Sequence, residues 1–176
     1  ALSLARESVV LLRNRHLLPL SGNVRKIAVI GPNADDIQTQ YGDWTYFTHP
    51  DPAPQRTAVR PYATLLEGMR TLAEKRNVQV VYHHGCGICA EPSDDLSGAA
   101  KAASGADVII LALGDDIRQT GESKDRADLA LSGRQSELFD TLFQQGIPIA
   151  VVLNSSKPLC FGSIVDRADA VLVAFN

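Results

Sequence analysis

The stretch "DVIILALG", residues 107–114, is a continuous apolar run closed by a glycine. A run of this length without polar alternation suits a strand in the middle of a sheet that is covered on both faces. Upstream, "KIAVIG" (26–31) is rich in β-branched residues and stops at Gly31-Pro32, and "VQVVYHHG" (78–85) reads as a further strand. Downstream, "PIAVVLN" (148–154) and "DAVLVAFN" (169–176) supply two more. Between them lie helical patterns. "YATLLEGMRTLAEKR" (62–76) sets Leu65, Leu66, Met69 and Leu72 on one side, and "SDDLSGAAKAASGA" (93–106) is a small-residue helix. Ser132 and Gln135 form a capping-box pattern ahead of Leu138, Phe139, Leu142 and Phe143. Strand and helix alternate through five predicted strands. The fold class is therefore α/β, a mainly parallel sheet flanked by helices in a three-layer α/β sandwich.

At the N-terminal end, Leu2, Ala5, Val9 and Leu12 fall at helical spacing, so residues 2–14 are expected to form an amphipathic helix. With the following "LLPLSG" it makes a helix and linker over 1–23, ahead of an α/β domain over 24–176. Residues 38–61, aromatic and proline-studded, show no clear period and exceed an ordinary connector. The chain lacks an initiator Met and ends on its last predicted strand without a closing helix. It is therefore expected to be a piece of a longer protein, incomplete at its C-terminal end.

Composition narrows the function classes. The 176 residues are 45% hydrophobic and 21% charged, with a formal net charge of −3. No basic excess exists to draw a phosphate backbone, so nucleic acid is not an expected partner. No apolar run approaches the roughly 20 residues that span a bilayer, so no membrane is expected either. No signal peptide is visible, and the compartment stays open. Cys86 and Cys89 form a C-x-x-C in "GCGICAEP" (85–92) beside His83 and His84, yet no second ligand pair accompanies them. The expected role is packing or incidental placement, with no metal and no cofactor. A dinucleotide fingerprint is absent, since "IGPNADDIQ" offers one glycine followed by proline and two acids. No G-x-S-x-G elbow marks a serine hydrolase.

Sites in parallel sheets lie beyond the carboxyl ends of the strands. That rule selects the loops "GPNADD" (31–36), "GCGICAEP" (85–92), "GDDIRQTGESKDR" (114–126) and "NSSKPL" (154–159). The third follows the most apolar strand and carries Asp115, Asp116, Glu122 and Asp125, with Asp128 just beyond. A carboxyl group walled in at that position would be partly desolvated and hold its proton near neutrality, as a general acid must. Spacing alone favours the ordinary alternative, a solvated acidic loop.

A family resemblance bears on that choice. "ARESVVLLRNRHLLPL", "KIAVIGPNADD", "YGDW", "GCGI" and "ADVIILALGDD" resemble the second, α/β-sandwich domain of family 3 glycoside hydrolases, the β-glucosidase and β-xylosidase group. The resemblance continues through "TGESKDRADLALSGRQSELFDTL", "PIAVVLNSSKPL" and "ADAVLVAF", covering essentially the whole chain in order. It implies a retaining, exo-acting glycosidase whose active site lies between this domain and an N-terminal (β/α)8 barrel. The barrel would supply the nucleophilic aspartate, and the second domain the acid/base glutamate. The family's G-E-x-x-x-R loop corresponds to "GESKDR", which implies Glu122 as general acid/base, with Arg126 and Asp128 ordering the loop. Trp44 and Tyr46, in and beside "YGDW", would border the leaving-group subsite with Arg126. Trp44 serves equally as a core-covering aromatic. The implied partners are the barrel domain and a β-linked oligosaccharide or glycoside. One departure stands out: "NSSKPL" replaces the N-G-R-P-L common in the family, so that loop's contacts are expected to differ. The competing reading is a non-catalytic α/β module that binds a sugar or a partner domain.

Overall fold

The computed structural model describes residues 2–42, 45 and 62–175. Its elements run α1 (Leu2–Glu7), β1 (Val10–Asn14), β2 (Lys26–Ile30), α2 (Ile37–Tyr41), α3 (Leu65–Glu74), β3 (Gln79–His83), α4 (Leu96–Ala103), β4 (Val108–Gly114), α5 (Gln135–Phe143), β5 (Ile149–Asn154), α6 (Ile164–Arg167) and β6 (Ala170–Ala174). The strands form one sheet in the order β1-β6-β5-β4-β2-β3. Five are parallel and β1 is antiparallel to β6.

Every residue of β4 is buried. Its side chains alternate between two cores, as a strand covered on both faces requires. Ile109, Leu111 and Leu113 pack with Leu138, Phe139 and Leu142 of α5 and with Ala99 and Ala103 of α4. Val108, Ile110 and Ala112 face the other way, toward Leu66 of α3 and the segment carrying Leu17, Leu18 and Leu20. Helices thus lie on both sides of the sheet, giving the expected α/β sandwich. Small residues on α4 let that helix sit close against the strands.

Local chemistry sets the helix starts. Thr64 caps α3 through a complete capping box with Glu67. Asp95 caps α4 by accepting from Gly98 N at 2.8 Å. For α5 the expected box does not form: Arg134 occupies the N-cap and no side chain caps that end. Gln135 is instead buried against the end of β4. Its Oε1 accepts from Gly114 N at 2.9 Å and its Nε2 donates to Gly114 O at 3.0 Å. Ser132 is free to bond the loop described below. The capping pattern was real as a sequence motif, but a buried strand end competed for the same amide.

The helix expected over residues 2–14 is also corrected. It stops at Glu7, and residues 10–14 pair instead with β6, Leu11 opposite Leu172 and Asn14 opposite Ala170. The four apolar residues 9–12 are β-branched or leucine and meet an open strand edge, whose ladder bonds outweigh a helix with nothing to pack on.

Candidate functional site

The chain steps from β2 outward to β3 and then across to β4, so β2 and β4 are neighbours whose following loops depart to opposite faces. A crevice opens at such a switch point, beyond the carboxyl ends. At the carboxyl end of β4 lies Asp115, only 1% exposed. Gly114, just before it, approaches Asn154 so closely that an added Cβ would lie 1.8 Å from that carbonyl oxygen. Only glycine allows β4 to deliver Asp115 to this point.

Asp115 gathers three loops. Its Oδ1 accepts from Arg126 at 2.6 Å, and its Oδ2 from Ser155 Oγ at 2.9 Å and Lys157 Nζ at 3.0 Å. Its backbone carbonyl accepts from Asn33 Nδ2 at 2.8 Å, which ties in the loop after β2. One buried anion therefore meets two cations, and its oxygens are all hydrogen-bonded. The neighbouring Asp116, 9% exposed, is held by Arg118 through Nε at 2.7 Å. Arg118 also reaches Glu91 in the loop after β3, and the Asp116 carboxylate raises its already high pKa.

Glu122 stands apart from this network. It is exposed, at the outer turn of the loop, and among the described residues no hydrogen bond or ion pair restrains its carboxylate. Its two neighbours take left-handed backbone conformations, Gly121 at φ 110 and Ser123 at φ 63. Non-glycine residues adopt that region rarely, and such geometry clusters where a side chain must be aimed. Of the five acids that follow β4, loop walls bury Asp115 and Asp116 and leave Glu122 exposed. Those two are spoken for by arginines.

Arg126 turns inward. Besides Asp115 it donates to the Ala130 carbonyl and to Ser132 Oγ at 3.1 Å. Asp128 accepts from Ala130 N at 2.8 Å, closing the turn that follows. The strand-like bridge between Ala130 and Cys160 then pins the loop to the segment after β5. A depression of about 250 Å3 borders these bonds, lined by Gln119, Gly121, Lys124, Arg126, Ser156 and Lys157 among others. Trp44 and Tyr46 lie outside the described residues.

Sequence reasoning singles out Glu122, Arg126 and Asp128 but not Lys157, Asn33 or Gln119. The available signal was positional: Asn33, Asp115 and Ser155 all fall within three residues beyond a strand end. Lys157 was noticed only as a departure in "NSSKPL". It donates to Gln119 O at 3.0 Å as well as to Asp115. The C-x-x-C does not act as a unit. Cys86 is buried in the core, where desolvation pushes its thiol up to about 12, while Cys89 accepts from Gln119 Nε2 at 3.5 Å. Among the described residues no three His, Cys, Asp or Glu side chains group as a metal site.

Residues 9–176 match the model of the glycosyl hydrolase family 3 C-terminal domain. A β-xylosidase of Formosa agariphila is 32% identical over 174 residues, which is 98% of this chain and 23% of that protein. Probable β-D-xylosidase 7 of Arabidopsis thaliana is 34% identical over 162 residues, 90% of this chain and 19% of the relative. Among solved structures, a β-glucosidase involved in saponin metabolism from intestinal bacteria superposes with a TM-score of 0.87 at 30% identity, over 99% of this chain and 29% of that one. A β-glucosidase from Listeria innocua in complex with glucose gives a TM-score of 0.79 at 26% identity, over 98% and 22%. The chain spans less than a third of each of these proteins.

Proposed function

Because the chain belongs to glycosyl hydrolase family 3, as its C-terminal domain, we propose that it is the acid/base-bearing part of a retaining, exo-acting β-glycosidase. The observation that supports this reading is the contrast within one loop. Asp115 and Asp116 are consumed by ion pairs, whereas Glu122 projects from the same loop unrestrained and open to a ligand. Residues 1–23 would lead from an N-terminal (β/α)8 barrel, contributing β1 to the edge of the sheet, and residues 24–176 would form the rest of the α/β domain that closes over its active site.

The chemistry then divides between two domains. A retaining glycosidase needs two carboxyl groups about 5–5.5 Å apart, one acting as nucleophile. The ion-paired acids of this loop are unsuited to that role, so the nucleophile is assigned to the barrel aspartate. Protonated Glu122 gives its proton to the glycosidic oxygen as that aspartate attacks the anomeric carbon and the leaving group departs. The Glu122 carboxylate then takes a proton from the water that hydrolyses the glycosyl-enzyme intermediate. Docking of the barrel and substrate would supply the desolvation that an exposed carboxyl lacks, holding the proton in place until transfer. Trp44 and Tyr46 would border the leaving-group subsite. Substrates are β-linked glycosides of the glucoside or xyloside type. The scheme uses neither metal nor organic cofactor, and calls for no nucleic-acid or membrane partner.

In the full-length enzyme, Glu122→Gln is expected to slow alkyl or disaccharide substrates far more than dinitrophenyl glycosides, whose leaving groups need no proton. Equal losses on both would remove the acid role. Azide should restore activity to Glu122→Ala by attacking the intermediate directly. Wild-type activity in that variant would favour the sugar- or partner-binding alternative. The 176-residue chain alone is expected to turn over no aryl β-glycoside.

A further inference from the structure

The two cations that share Asp115 also grip the loop on both sides of Glu122. Lys157 donates to the carbonyl of Gln119, before Glu122, and Arg126 donates to the carbonyl of Ala130, after it. Gln119 is held again through its amide, which donates to Ser132 Oγ at 2.8 Å. Ser132 in turn accepts from Arg126 at 3.1 Å. The result is a closed circuit of bonds beneath the loop, in which Asp115 links the two cations and Arg126 also reaches Gln119 Oε1 directly at 3.5 Å. The loop's outer turn, with Gly121, Glu122 and Ser123, has no comparable tie of its own among the described residues.

Stability is a poor explanation for this arrangement. Burying an anion with two cations carries a desolvation penalty that well-packed apolar side chains would avoid. What charge-assisted hydrogen bonds add is direction, because the guanidinium fork and the carboxylate accept few orientations. We propose that Asp115 is a positioning residue for the proton donor. Acting through Arg126 and Lys157, it clamps the two feet of the loop and so sets where the Glu122 carboxyl lies relative to the glycosidic oxygen. This rests on the reading of Glu122 as general acid/base. Asp115 is 1% exposed and both its carboxylate oxygens are engaged within the chain, so its effect is expected through the loop that carries Glu122.

The test uses the full-length enzyme and the isosteric change Asp115→Asn. A displacement of about 1 Å at a reacting group can cost on the order of 100-fold in rate. The expected result is a fall in kcat of about 10–100-fold on alkyl glycosides with KM near wild type, and a much smaller fall on dinitrophenyl glycosides. In a Glu122→Gln background the same change should add less than about twofold, since the group it positions can no longer donate. An equal fold-loss in both backgrounds overturns the proposal. Amide hydrogen exchange provides a readout that does not depend on Glu122 being the acid. Residues 119–130 should exchange faster in Asp115→Asn while β4 and β5 stay protected, and an unchanged loop overturns the clamp. Failure of the acid/base reading is visible separately, in Glu122→Gln alone. If Asp115→Asn does not fold, Lys157→Met, which removes one cation at the rim of the circuit, is read by the same measurements and criteria.

Discussion

Two aspartates show how one side chain serves opposite ends of this sheet. At the carboxyl end, Asp115 is buried and answers to two cations. At the other end, Asp107 is exposed and accepts from the backbone N–H groups of Arg25 and Lys26 at 2.7 and 2.8 Å. Those two bonds join the starts of β2 and β4, and they hold the Asp107 carboxyl below the usual carboxylate range. A carboxyl whose folded pKa is depressed adds stability that is fully present above the unfolded value, 3.8, and is lost as pH falls through the lower folded value. Denaturation midpoints followed from neutral pH to about pH 2 should therefore show Asp107→Asn weaker than wild type near neutrality. The two curves should converge below about pH 4. A gap that stays constant to the acid end would mean the Asp107 bonds do not depend on its charge. Asp115 could be named from the sequence as one acid among five. Its burial could not, because it depends on Lys157 and Ser155 arriving from another strand.

At the scale of elements, the contact between β4 and α5 carries the site's geometry. Gln135 is fully buried and ends β4 by bonding both polar groups of the Gly114 backbone, in the position where another ladder partner would sit. Replacing it with methionine keeps its volume and removes every one of these bonds. Each buried polar group left without a partner costs about 1–3 kcal/mol, so Gln135→Met should lower the unfolding free energy by about 2–4 kcal/mol. Urea unfolding checks this, and a change under about 0.5 kcal/mol would show that Gly114 finds other partners. The existence of α5 and β4 was legible in their periods. The role of Gln135 was misread as a cap, because a local motif cannot report which neighbour lies across the fold.

At the scale of the whole molecule, several of the exposed large apolar side chains among the described residues lie along one edge. β1 closes the sheet beside β6, with Leu11 52% and Leu12 50% exposed and Phe175 nearby at 49%. Among the described residues the far side of β1 is an unpaired strand edge, which is a template for pairing with another chain. Purified by itself, the 176-residue chain should therefore self-associate as its concentration rises. Leu11→Lys together with Leu12→Lys should suppress this, since charge on an edge strand opposes pairing. Sedimentation velocity reads the outcome, and a monomer at every concentration for the unaltered chain would refute it. Helix periodicity in residues 2–14 hid this edge, as the spacing of Leu2, Ala5, Val9 and Leu12 is helical while the continuous apolar run of residues 9–12 also suits a strand.

Sequence by itself determined the α/β class, the buried central strand, four of the remaining strands and the loops able to carry a site. These follow from the period of apolar residues and from where glycine and proline interrupt it, which are local properties. Its resemblance to family 3 glycoside hydrolases also pointed to Glu122. Tertiary structure decided which acids of that loop are buried and paired, that Gln135 braces a strand end, and that residues 10–14 extend the sheet. Each of those outcomes depends on groups brought together from different strands, and a one-dimensional pattern does not encode who the neighbour will be.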